Sequence, residues 1–241
     1  MSKNARLKRE AKKFKDCETK PSNVIEYEQY KNRLTPLNES QRQFISSLSH
    51  DEMVIGAGAA GTGKTYIASR IAGQIYNKEK NCKRIILIRP NIEVGRSMGF
   101  LPGELEEKYA PYVTPFEKGL KEELGLKYEN DLYKNIVPSP IAYMRGHTYD
   151  NCVMLIDEAQ NLTIEETKMI LTRIGTGTRV FITGDHSKAQ NDLKAKENGL
   201  QWLIRQIRTQ GMGIEVVDFK SDDCVRSPLC KNMLKLIDNE K

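Results

Sequence analysis

Apolar residues run along this chain in two rhythms, and the switches between them mark out its elements. MVIGAG (53–58), RIILI (84–88), VMLI (153–156), RVFITGD (179–185) and GIEVVDF (213–219) are short, nearly continuous apolar runs of strand length. Runs of that kind, rather than strictly alternating ones, belong to strands covered on both faces, so a mostly parallel sheet is expected. Between them the spacing changes to that of helices. Ile67, Ile71 and Ile75 fall on one face of KTYIASRIAGQIYNKEK. ENGLQWLIRQIRTQ and SPLCKNMLKLIDNE follow the same rhythm, with Pro228 near the first turn of the second. Thr163 and Glu166 have the spacing of a capping box, which opens a helix to about Arg173. After the extended Leu34-Thr35-Pro36, either Asn38 or Ser40 caps a short helix through Leu48. Residues 103–124 are amphipathic and charged, and read as interrupted at Pro111 and Pro115. Strand and helix patterns alternate, which is the order of an α/β fold with helices on both faces of the sheet.

Composition narrows the class. Of 241 residues 39% are hydrophobic and 29% charged, a balance that suits a packed globular chain rather than a disordered one. No apolar run approaches the roughly 20 residues of a membrane span. The five cysteines are scattered, with no C-x-x-C pair. A disulfide framework or zinc site is therefore not expected, and a cytoplasmic setting is. The net charge of +6 is unevenly placed: residues 1–20 hold eight lysines and arginines against three acids, so the remainder is close to neutral. Residues 1–22 are read as a basic N-terminal arm, and 23–241 as one domain. The arm suits phosphate-backbone binding without sequence readout, or simply a solvated tail.

The chemistry begins where the first strand run ends. Gly58-Ala59-Ala60-Gly61-Thr62-Gly63-Lys64-Thr65 matches G-x-x-x-x-G-K-[ST], lies between a strand and a helix, and runs into Tyr66. Glycines let backbone N–H groups converge on phosphate oxygens, and the helix N-terminus adds favourable partial charge. Lys64 is placed to reach the β- and γ-phosphates, and the Thr65 hydroxyl to bind Mg2+. VMLIDEAQ then ends an apolar strand in Asp157, a second candidate for Mg2+, followed by Glu158, a candidate to orient and activate water.

GTGKTYIA, IRPNIEVGRSMGFLPGEL, AYMRGHT, DEAQNLT, MILTRIG, ITGD and DCVRSPL, in this order, resemble the blocks of the PhoH family of P-loop ATPases, relatives of superfamily-one helicases. The resemblance covers about residues 34 to 235. It implies a P-loop NTPase fold of RecA-like type and an ATPase acting with Mg2+ and with RNA or single-stranded DNA. It also implies the stand-alone core that phages carry too, in which case the cytoplasm is the host's. Gln41 resembles a glutamine that reads the adenine edge. Arg89, Arg145 and Arg173 resemble residues that meet nucleic acid or a neighbouring subunit. Asp185 resembles a residue near the γ-phosphate, and Arg226 a finger arginine. One departure stands out: Lys188 occupies the position where the family has a sensing glutamine, and the nearest glutamine is Gln190.

A chain with room for one such domain must draw its finger arginine from itself or from a neighbour. A homo-oligomeric ring, of hexameric order, answers that need and opens helicase or translocase activity. Two rival readings stay open. A nucleotide-gated nucleic-acid-binding ring would turn over little ATP. A P-loop kinase would need an acceptor pocket and an arginine-rich lid, where this chain has DEAQ and TGD.

Overall fold

The computed structural model describes residues 33–90, 105–185 and 198–238. The basic arm, the boundary between residues 22 and 23, the block at 91–104, Lys188 and Gln190 lie outside the described residues. The compact unit that carries the sheet is Pro36–Lys241.

Six strands build one sheet: β1 (Met53–Gly58), β2 (Arg84–Ile88), β3 (Ile136–Pro138), β4 (Cys152–Ile156), β5 (Arg179–Gly184) and β6 (Glu215–Phe219). Their spatial order is β3-β2-β4-β5-β1-β6, and every pairing is parallel. The five apolar runs of the sequence are five of these strands. The sixth, β3, has only three residues and ends in proline, so it gives no run to read. It lies at the edge beside β2, where a residue without an N–H is tolerated.

Helices are α1 (Glu39–His50), α2 (Lys64–Lys78), α3 (Leu105–Leu124), α4 (Leu126–Asp131), α5 (Ile164–Leu171), α6 (Gly199–Gln210) and α7 (Pro228–Asp238). Because strand side chains alternate, each strand feeds two cores. Ile55, Ile86, Met154, Ile156, Val180 and Ile182 face Leu162, Ile170, Leu203 and Ile207 of the α5–α6 side. The opposite face is covered by α1, α2 and α3, where Phe44, Ile67, Ile71 and Phe116 are buried. Asn38, not Ser40, caps α1: its side chain accepts from the Gln41 N–H. Thr163 and Glu166 form the expected capping box, and α5 ends at Leu171, two residues before Arg173.

Helix α3 corrects one expectation, since it runs unbroken through Pro111 and Pro115. Pro115 has no N–H to offer the carbonyl four residues back, which is that of Pro111. The Arg89 guanidinium supplies a donor instead, Nη1 lying 3.4 Å from that carbonyl. A side chain from the sheet edge thus meets the acceptor that the proline leaves open.

Candidate nucleotide site

A parallel sheet collects whatever follows its strands at one edge, and here that edge gathers the loops after β1, β2, β4, β5 and β6. The loop after β1 is Gly58 to Gly63. Gly58, Gly61 and Gly63 all have positive φ, a backbone that side-chain-bearing residues rarely adopt. At Gly58 there is a second reason: a Cβ would run into the Phe219 carbonyl of β6, which already accepts the Ala59 N–H at 3.0 Å. The loop is therefore fastened at its start to the last strand of the sheet.

Lys64 opens α2 and folds back over the loop. Its Nζ donates to the carbonyls of Gly58 and Ala59, each at 2.7 Å, and lies 3.3 Å from the Thr62 hydroxyl. Burial pushes its pKa below the usual lysine value; Asp185, Asp157 and Glu158 oppose that shift, and Arg226 adds to it. The next hydroxyl, that of Thr65, donates to Asp157 Oδ1 at 2.8 Å. Thr183 on β5 donates to the same oxygen at 2.7 Å, so the buried Asp157 carboxylate is held from the start of α2 and the end of β5.

Glu158 follows at once, with φ 53° and ψ 37°, a left-handed backbone uncommon for a residue with a side chain. This turn separates its carboxylate from that of Asp157. Glu158 Oε1 faces Arg89 Nη2 at 3.4 Å, and Oε2 accepts from Gln160 Nε2 at 2.6 Å. Gln160 uses its own oxygen to accept the Asp185 N–H at 2.9 Å, and its backbone carbonyl accepts from Asn198. This buried glutamine connects the ends of β4 and β5. The DEAQ tetrad contains it, but no feature of the tetrad alone shows that its partner lies 25 residues further on.

Other candidates fall into place unequally. Gln41 is buried at 4% exposure, which excludes a solvent-facing helix glutamine. It accepts from the Leu37 N–H at 2.8 Å and donates to the Thr62 carbonyl at 2.9 Å, so it braces the loop from α1. Arg226 lies with its stem against Gly61 of the same chain, and the Val225 N–H donates to the Gly61 carbonyl at 3.0 Å. The Tyr66 hydroxyl turns from the loop to Glu122 on α3 at 2.5 Å. Arg89 and Arg145 line a cleft of about 500 Å³ with Tyr112, Ile141, Glu165 and Met169. Arg173 stands apart from all of these. The Tyr149 N–H donates to its carbonyl just ahead of β4, at the opposite edge of the sheet from the loop.

The residues fit a nucleoside triphosphate and a hard divalent cation. Lys64 rests on backbone carbonyls, which are weak partners that a phosphate can replace. Thr65 at the start of α2 and Asp157 just past β4 present two hard oxygens side by side, the donor set Mg2+ takes while keeping waters and phosphate oxygens. Among the described residues no helix is long and apolar enough to cross a membrane.

A family profile for PhoH-like proteins matches residues 33–238. The chain is 40% identical over 204 residues to a PhoH-like protein of Bacillus subtilis, a match covering 83% of this chain and 62% of that one. It is 35% identical over 202 residues to protein PhoH of Escherichia coli, covering 82% and 56%. A PhoH-like protein of Mycobacterium tuberculosis is 38% identical over 204 residues, covering 83% and 57%. The chain thus spans less than two thirds of the length of these curated relatives. Among solved structures, Pif1 helicase from Candida albicans superposes with a TM-score of 0.40 at 13% identity, over 78% of this chain and 40% of that one. The Sulfolobus solfataricus SWI2/SNF2 ATPase core in complex with dsDNA gives 0.41 at 16% identity, over 85% and 44%.

Proposed function

The chain belongs to the PhoH-like protein family, and on that premise we propose that it binds and hydrolyses ATP with Mg2+, in concert with RNA or single-stranded DNA. The observation that carries the proposal is the contact between two motifs 92 residues apart: the Thr65 hydroxyl on Asp157 Oδ1, 2.8 Å, with Glu158 beside it. A phosphate cradle alone binds; a cradle facing a carboxylate pair can also hydrolyse.

In this reading the backbone N–H groups of Gly58 to Gly63 and the start of α2 hold the phosphates. Lys64 leaves the carbonyls of Gly58 and Ala59 for the β- and γ-phosphates. Thr65 and Asp157 hold Mg2+, which when bound neutralises charge on the phosphate oxygens. Glu158 accepts a hydrogen bond from the attacking water and orients it. Asp185 and Gln160 lie behind Glu158 and join it to the end of β5. Arg226 neutralises charge developing on the γ-phosphate; its stem packs against the loop of its own chain, which supports action in cis. Gln41 borders the loop from the side where a base would leave it. A hexameric ring is the assembly this reading takes, with the arginines of the cleft and of the far edge meeting polymer or neighbour.

ATP turnover measured with and without single-stranded RNA and DNA tests the proposal. Phosphate release without any acceptor separates hydrolase from kinase. Glu158→Gln should lower turnover about 100-fold or more while nucleotide still binds. Equal rates for variant and parent would remove Glu158 from the catalytic role. A parent that binds ATP and never turns it over, with or without polymer, would leave the nucleotide-gated binding module in place.

A further inference from the structure

Arg89 joins the cleft to the candidate water-orienting carboxylate, and its contacts are poor for a cation in that position. One guanidinium nitrogen reaches Glu158 Oε1 at 3.4 Å and another the Pro111 carbonyl at 3.4 Å, while the buried Nε has no hydrogen-bond partner among the described residues. Guanidinium–carboxylate pairs made in full are shorter and bidentate, and buried donors without partners are rare. The pair is also about a third open to solvent on each side, so water screens it. Arg89 is therefore held loosely, in a place where a better acceptor can take it.

The cleft supplies the route for such an acceptor. Arg89 forms part of its wall, exposed Arg145 another part, and Tyr112 offers a ring face between them. Of the two carboxylates in the wall, Glu166 turns to the Thr163 cap at 2.9 Å and 3.0 Å, while Glu165 is exposed and able to swing into solvent. Two arginines and an aromatic ring beside a groove suit a phosphodiester backbone with its bases.

We infer that Arg89 is a positioning residue that restrains Glu158, and that a single-stranded phosphodiester backbone in the cleft draws Arg89 away and frees Glu158 to orient water. Without polymer, Glu158 Oε1 is shared with Arg89 and Oε2 with Gln160. A water must compete for the same carboxylate. With polymer, a phosphate takes the guanidinium, and only the neutral Gln160 amide remains on Glu158. The inference rests on the proposed ATPase reading and adds its regulation.

The test measures turnover with and without oligouridylate, and with oligothymidylate as the deoxy counterpart. Arg89→Ala should raise the rate without oligonucleotide about five-fold or more, and oligonucleotide should then change it by less than roughly two-fold. A lower basal rate, or stimulation at the parent's ratio, overturns the inference. Retained binding of a fluorescent ATP analogue confirms that the variant is folded. A second measurement, made without nucleotide, covers a variant that does not fold or a parent that does not hydrolyse. Coupling is reciprocal, so Glu158→Gln should tighten oligouridylate binding about five-fold or more. In the Arg89→Ala background the same change should do nothing. Unchanged binding in Glu158→Gln, or tightening that persists without Arg89, overturns the inference. A parent that hydrolyses no ATP with any polymer sinks the ATPase reading alone, and the binding cycle still decides the Arg89–Glu158 coupling. A response to one oligonucleotide and not the other identifies the sugar of the backbone that the cleft takes.

Discussion

Lys64 is a cation buried at 9% exposure, with a pKa pushed below the ordinary 10.5 by that burial. The sign of the consequence is fixed. Phosphates favour the protonated amine, so nucleotide binding raises the pKa again. Affinity for ATP should be full below the folded pKa of the nucleotide-free protein and fall as pH rises through it. Above that pH, binding should take up a proton. Calorimetry in buffers of different ionisation heat checks both, and a flat affinity with no proton uptake up to pH 10.5 would contradict them. At this scale the sequence spoke clearly. Gly58 to Thr65 and Asp157-Glu158 are local motifs whose chemistry needs no knowledge of the fold. Gln160 and the contact of Arg89 with the Pro111 carbonyl were hidden, because their partners are set by tertiary packing. Arg173 was read as a nucleic-acid or subunit contact from its motif; its place at the far edge of the sheet could not be seen in five letters.

Among the elements, α2 and α3 are joined by a cluster that begins at Tyr66, three residues past the loop. Arg70, almost fully buried, pairs with Glu122 at 2.9 Å and Glu123 at 3.1 Å, and also reaches the Tyr66 hydroxyl. Removing a buried partner leaves the remaining charges without compensation, so Arg70→Ala should cost about 3 kcal/mol in urea denaturation. A loss below about 1 kcal/mol would mean that solvent already shares the cluster, as it does for surface pairs. The capping box foretold α5, and the rhythm of apolar residues foretold α2, α6, α7 and five strands. It failed at α3, where two prolines promised a break. The helix persists because its packing on α2 offsets what the prolines remove, with the long Arg89 contact only meeting one open carbonyl. It failed again at β3, which is too short to show any rhythm.

On the scale of the molecule, the open matter is whose finger completes whose site. Arg226 against Gly61 of the same chain predicts independence between subunits. Mixing Lys64→Ala protein, which keeps Arg226, with Arg226→Ala protein, which keeps the cradle, should restore no turnover. Activity above the sum of the two would place the arginine in trans. Helix α7 follows Arg226 closely, and Leu229, Met233 and Leu236 are all exposed on it. No pattern in the sequence distinguishes a helix packed on its own sheet from one that is not, so this too emerged only from the fold.

The strand order has a consequence for how the protein is made. β1 leaves the ribosome well before either of its two neighbours, β5 and β6. The Phe219 carbonyl that fastens the loop at Ala59 arrives 160 residues after it. The loop therefore cannot be fastened on a nascent chain until β6 has been translated. Until then an apolar interior strand, destined to be paired on both sides, waits with both edges unpaired, the kind of intermediate that chaperones shelter.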